Sequence, residues 1–188
     1  MTETPGARSI AEAGPQALID AYWFDGAGGA TPMTWDELDL PRDGPSFPWI
    51  HLQRDVDDTR EFLVNRSGLP RLVCDAMTAS ESRPRTTAFD EGIMVDLRGV
   101  NLNPGADSED MVSLRMWCDG KGLISVRRRR LMAVDDIREA IKRNQAPKTP
   151  AGLMIMLADG LTNRMGTVIT DLDDMVDDLE DKVVEAQS

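Results

Sequence analysis

Between Ala17 and Phe24 the chain holds an apolar stretch with Tyr22 and Trp23, then breaks at the turn-prone run Asp25 to Gly29, which predicts a first strand. A second is predicted over Pro48-Trp49-Ile50-His51-Leu52. Asp55 or Asp57 then offers an N-cap for a helix stopping at Gly68, where a glycine can close the last turn. Pro70 opens another helix, because its missing N–H costs nothing in a first turn. That helix is expected to put Leu72, Val73, Ala76 and Met77 on one face and to end near Ser80 to Pro84.

From Thr86 to Arg127 the period falls to two. Ile93, Val95 and Leu97 alternate with Met94, Asp96 and Arg98; Val112, Leu114, Met116 and Cys118 alternate with Ser113, Arg115 and Trp117. Turn residues at Asp90–Gly92, Asn103–Asp107 and Asp119–Gly122 make this an antiparallel block of hairpin-linked strands. Helical spacing returns over Leu131 to Asn144 through Leu131, Val134, Ile137, Ala140 and Ile141. Pro147 and Pro150 bracket a new start capped by Thr149, and Ala151 to about Ala186, free of proline, predicts one helix of about 50 Å. Along it Leu161, Met165, Val168, Leu172, Met175 and Leu179 recur at intervals of four and three, the seam of a coiled coil. A small domain cannot cover so long a stripe with its own sheet. The far half is expected to meet another helix, from a continuing chain, a second protomer or both.

Three regions follow: a flexible leader over residues 1–15, poor in large apolar side chains; a domain over 16–148; and a long acidic helix over 149–188. The chain carries 33 acidic and 21 basic residues, a net charge of −12, which repels nucleic-acid backbones and anionic lipid and attracts cations. No window reaches the roughly twenty apolar residues that cross a bilayer. Cys74 and Cys118 lie far apart with no metal-knuckle spacing, so a reducing compartment fits. Enzymatic activity is not expected: nucleophile elbow, phosphate loop and metalloprotease motif are all missing, and His51 is the one histidine.

Four stretches, in order, resemble the zinc (ZntB-like) branch of the CorA metal-ion transporter family. They are Trp49-Ile50-His51-Leu52; Leu69-Pro70 through Cys74-Asp75-Ala76-Met77 to Glu81-Ser82-Arg83-Pro84-Arg85; Leu97 through Gly105 and Glu109 through Trp117 to Ile124-Ser125-Val126-Arg127; and Arg129 to Ile137, followed by the acidic run Asp171 to Glu180. The resemblance implies an α/β (α+β) fold with a mixed sheet sandwiched between helical layers and a long C-terminal helix. It implies the cytoplasmic part of an inner-membrane divalent-cation transporter, zinc or magnesium being cargo or regulator, homopentameric in the full-length family. The family's Gly-x-Asn ion-selecting signature is absent here. The other reading is a free-standing soluble module that pairs its long helix with a protein partner.

Candidate cation-attracting residues are Asp171, Asp173, Asp174, Asp177, Asp178 and Asp181, whose spacing of three and four shares helix faces; the plain reading is a solvated face. His51, Cys74 and Cys118 supply the soft donors a zinc site uses, though buried structural cysteines and a hydrogen-bonded histidine at a strand edge read as well. Asp75 matches, through the resemblance alone, a family aspartate that senses magnesium between protomers. The basic island Arg127 to Arg130, with Arg138, Lys142 and Arg143, is expected to form ion pairs with the acidic helix, within or between protomers.

Overall fold

The computed structural model describes residues 16–38, 45–80, 83–106 and 110–186; residues 1–15, expected as a leader, lie outside that set. The described strands are β1 (Leu18–Phe24), β2 (Ala30–Pro32), β3 (Phe47–Gln53), β4 (Arg85–Ala88), β5 (Ile93–Gly99), β6 (Val112–Cys118) and β7 (Leu123–Arg127). The helices are α1 (Asp57–Asn65), α2 (Arg71–Thr78), α3 (Met132–Lys142) and α4 (Pro150–Ala186). The strands form one sheet in the order β2-β1-β3-β7-β6-β5-β4. Every pairing is antiparallel except β3 with β7, so the sheet is mixed. A parallel pair needs a crossover, and the segment carrying α1, α2 and the β4–β6 hairpins supplies it.

Alternating side chains send each strand's residues to opposite faces, and both faces are covered. On one, Phe24, Trp49, Leu114, Met116 and Leu123 meet Val134 and Ile137 of α3 and Leu153, Leu157 and Leu161 of α4. On the other, Ile50, Leu52, Met94, Trp117 and Ile124 meet Phe62 and Leu63 of α1 and Val73, Cys74 and Met77 of α2. The sandwiched mixed sheet and the long C-terminal helix expected from the sequence are therefore both present.

Some local expectations change. Val56, in extended conformation, precedes α1, so neither Asp55 nor Asp57 caps it; Asp57 opens the first turn, where its charge suits the helix dipole. Leu72 does not join the buried face of α2. Cys74 takes that place, and Leu72 stands 69% exposed. β2, three residues ending in proline, was too short to show as a pattern. Thr149 does cap α4, its hydroxyl accepting the Gly152 N–H at 3.0 Å.

α4 buries its apolar stripe in the domain over its first three turns. Leu153, Leu157 and Leu161, four apart, line one stripe and are buried. Gly160 lets α3 come close, since a Cβ there would lie 2.9 Å from that of Ala133. A paired interaction then marks the exit, with Arg164 giving two hydrogen bonds to Asp136 at 2.8 and 2.9 Å.

Candidate functional site

Within the domain, several carboxylates are matched by guanidinium groups. Asp55 meets Arg54 and Arg128, Asp110 meets Arg129, and Asp135 meets Arg130 and Arg138. Asp75 lies exposed on α2 beside Arg60 at 3.6 Å and Arg71 at 3.5 Å. The basic island does form ion pairs, and within the protomer its partners are Asp20, Asp55, Asp110, Asp135 and Glu139, on strands, loops and α3 rather than on the acidic helix. The reason is reach: α4 has left the domain before its acidic run begins.

One pair is buried and a second is half-buried. Asp96 and Arg115 occupy facing positions on β5 and β6, both 2% exposed or less, with Nε and Oδ2 3.4 Å apart. Arg115 also donates to the carbonyls of Met77 and Ala79 at 2.8 and 2.7 Å, tying down the C-terminal end of α2. Burial lifts the Asp96 carboxyl above its ordinary range, and Arg115 offsets part of that. Asp20 of β1 is held by Arg138 of α3 through Nε at 3.1 Å and Nη2 at 2.7 Å. Burial likewise raises its carboxyl against the pull of Arg138.

His51 lies in the row Asp20–His51–Ser125 across β1, β3 and β7. It is wholly buried in the sheet interior rather than at an edge. Ser125 Oγ accepts the Trp49 Nε1–H at 2.9 Å and lies 2.8 Å from His51 Nδ1. Donation of the serine proton to Nδ1 places the ring proton on Nε2, which has no hydrogen-bond partner among the described residues. Desolvation, then the charges of Arg127 and Arg138, push the ring pKa well below its usual value and keep it neutral.

The soft donors are not brought together. Cys74 packs on the α1/α2 face, its Sγ 3.0 Å from the Leu63 carbonyl, while Cys118 faces α3 and α4. Burial raises both thiols. Among the described residues no three His, Cys, Asp or Glu side chains cluster closely enough to hold a metal ion. Asp20, Asp96 and Arg115 escaped the sequence reading as structural residues; the signal was a charge inside an apolar strand, at matching positions of neighbouring strands in the second case.

The acidic run of α4 differs from all of this. Asp171, Asp173, Asp174, Asp177 and Asp178 are exposed, with no ion-pair partner among the described residues; the side chain of Asp181 lies outside them. Beside them Ile169, Leu172, Met175, Val176, Leu179 and Val183 are each more than half exposed. The helix thus carries a stripe of grease and a field of negative charge, both open. Among the described residues no helix is long and apolar enough to cross a membrane.

Comparison with known proteins gives this arrangement a lineage. Residues 45–188 match the family model described as "CorA-like Mg2+ transporter protein". The divalent cation transporter CmaX of Pseudomonas aeruginosa is 36% identical over 173 residues, 89% of this chain and 51% of that protein. The full-length CmaX structure superimposes with a TM-score of 0.85 at 36% identity, over 93% of this chain and 54% of that one. The ZntB cytoplasmic domain from Vibrio parahaemolyticus gives 0.75 at 28% identity, over 86% and 64%. The chain spans about half the length of the curated relatives it matches. With a family model covering most of its residues, the chain belongs to the CorA-like metal-ion transporter family.

Proposed function

We propose that this chain is the membrane-external, cytoplasmic domain of a divalent-cation transporter of the inner membrane, zinc being the cargo favoured by the ZntB likeness and magnesium the other candidate. In the whole protein five copies surround an axis, and α4 brings carboxylates to the vestibule through which the ion passes. The observation that carries the reading is the density of open charge: Asp171, Asp173, Asp174, Asp177 and Asp178 stand exposed along one short stretch of α4 with no ion-pair partner among the described residues, whereas Asp20, Asp55, Asp110 and Asp135 of the domain are each held by an arginine.

An unneutralised row has a cost. Aspartates three and four apart oppose the helix by about 0.2–0.5 kcal/mol per pair, and cations gathered within a Debye length of about 10 Å offset it. Oxygen donors on an exposed face hold hard cations loosely, as a vestibule requires. Asp75, His51, Cys74 and Cys118 remain candidate ligands. Of these Asp75 is the best placed, because it is exposed and on the surface of α2, where a neighbouring protomer can reach it.

Equilibrium dialysis of the chain against Zn2+ or Mg2+ at low ionic strength, with light scattering for assembly, tests the reading. The wild-type chain is expected to retain more cation than a variant with Asn at 171, 173, 174, 177 and 178, and the excess is expected to vanish in high salt. Equal retention by both would overturn the role of α4.

A further inference from the structure

The anchored and open parts of α4 meet over residues 160–167, where the helix is built differently from either arm. Leu161 is its last buried side chain among the described residues. The two glycines of this segment have different explanations. Gly160 is accounted for by packing, since a Cβ there would press on Ala133; around Gly166 nothing lies within 4 Å, so no close approach requires a glycine. A glycine inside a helix with nothing packed on it leaves the backbone free to bend, because no Cβ restricts its dihedral angles. On either side Thr162 and Thr170 turn their hydroxyls back on the carbonyls of Ala158 and Gly166, at 2.9 and 3.2 Å. Such bonds compete with the amide that each carbonyl serves, and they bend helices.

A polar tie crosses from this segment to α3. Arg164 reaches Asp136 with Nη1 and Nη2 at 2.8 and 2.9 Å, and the same Nη1 donates to the Gly160 carbonyl at 2.7 Å. One guanidinium therefore fastens the turn that begins at Gly160, and Gly166 lies just beyond the fastening. The two side chains are 28% and 42% exposed, so salt and water can open this pair, unlike the Asp96–Arg115 pair sealed inside the sheet.

We infer that residues 160–167 form a hinge in α4 and that the Arg164–Asp136 pair is its latch. With the pair closed the distal arm holds one angle to the domain; with the pair open the arm swings about Gly166. The lever is long: from residue 167 to residue 186 the arm measures about 30 Å, so a bend of about 20° at Gly166 carries its tip about 10 Å. Breaking one partly exposed pair at the surface of α3 is thereby converted into a large displacement at the far end of the helix. The inference does not depend on the cation reading, since Asp136 and Arg164 lie outside the acidic run and an angle is measured with no ion bound.

The test is a distance distribution from pulsed electron paramagnetic resonance on the whole chain, with spin-labelled amino acids placed at the exposed positions of Leu72 on α2 and Leu179 on the distal arm. Labelled chain is diluted in unlabelled chain, so that only distances within one molecule are read. At low salt the wild-type chain is expected to give one narrow distribution. Asp136→Ala, or Arg164→Gln, is expected to broaden it at least about twofold, as the arm samples a range of angles, and high salt should broaden the wild type in the same direction. Gly166→Ala added to Asp136→Ala is expected to narrow the distribution again, because the hinge is stiffened although the latch is gone. Asp159→Asn, exposed on the same helix, should leave the wild-type width. All of these positions lie outside the core, and far-UV circular dichroism is expected to show the same helix content throughout. A width unchanged by Asp136→Ala, no narrowing by Gly166→Ala, or broadening accompanied by lost helix content, which is melting of the arm rather than swinging, would each overturn the inference.

Discussion

The first three turns of α4 and its last four belong to one helix and obey opposite rules. Leu153, Leu157 and Leu161 vanish into the core, while Leu172, Met175 and Leu179 face water, although the spacing of apolar residues is similar in both. The difference lies outside the helix. The proximal turns have a sheet and α3 beneath them; the distal turns have run past the edge of the domain. Periodicity says that a helix has a sticky side, and only tertiary context says whether that side is satisfied.

Cavity formation separates the halves most. Leu157→Ala is expected to lower unfolding stability by about 2–5 kcal/mol, whereas Leu179→Ala should change it by no more than about 0.5 kcal/mol. Urea denaturation of both variants makes the comparison, and similar losses would break it.

The platform under α3 should also give the proximal region a pH response that the distal helix lacks. The unfolded chain takes up a proton on His51 below its ordinary pKa of 6.5, and the folded one, with a depressed pKa, does not. The unfolded state then binds more protons, so this residue's contribution is full above pH 6.5 and is lost as pH falls toward the depressed folded value. The expected slope is about 1.4 kcal/mol per pH unit. His51→Gln should remove that slope; parallel wild-type and variant profiles between neutral and mildly acid pH would contradict the neutral, buried ring.

Two glycines give a sharper contrast of opposite sign. Gly160→Ala pushes a methyl group against Ala133 of α3 and should cost about 1–2 kcal/mol. Gly166→Ala meets nothing within 4 Å and should gain about 0.5–1 kcal/mol from helix propensity. Thermal melts read both. At the boundary Asp136→Asn should cost less than about 1 kcal/mol, because its pair with Arg164 is partly exposed, and the loss should shrink in salt.

What the sequence showed was governed by neighbours close along the chain. The alternation of β5 and β6, the apolar face of α3 and the Thr149 cap are local patterns, and the structure has them. That the Leu172–Leu179 seam would stand exposed among the described residues was legible from the helix's length. What was hidden depends on distant pairing. His51 looked like an edge residue because nothing near it announces that β3 lies beside β7, more than seventy residues on. Leu72 was expected on the core side of α2 and is exposed, because that side is set by packing on Trp117 and Ile124, which Val73, Cys74 and Met77 meet. Likewise the basic island reads as a partner for the acidic helix, but within one protomer it meets other carboxylates, brought to it by the fold.

Native-state hydrogen exchange of the chain alone, resolved along α4, tests most directly whether its distal half is an open surface awaiting a partner. Amides from Leu153 to Leu161 are expected to exchange only through global unfolding, and those from Thr170 to Val183 through local fraying, orders of magnitude faster. Equal, strong protection along the whole helix would show the distal stripe already covered and would contradict the account.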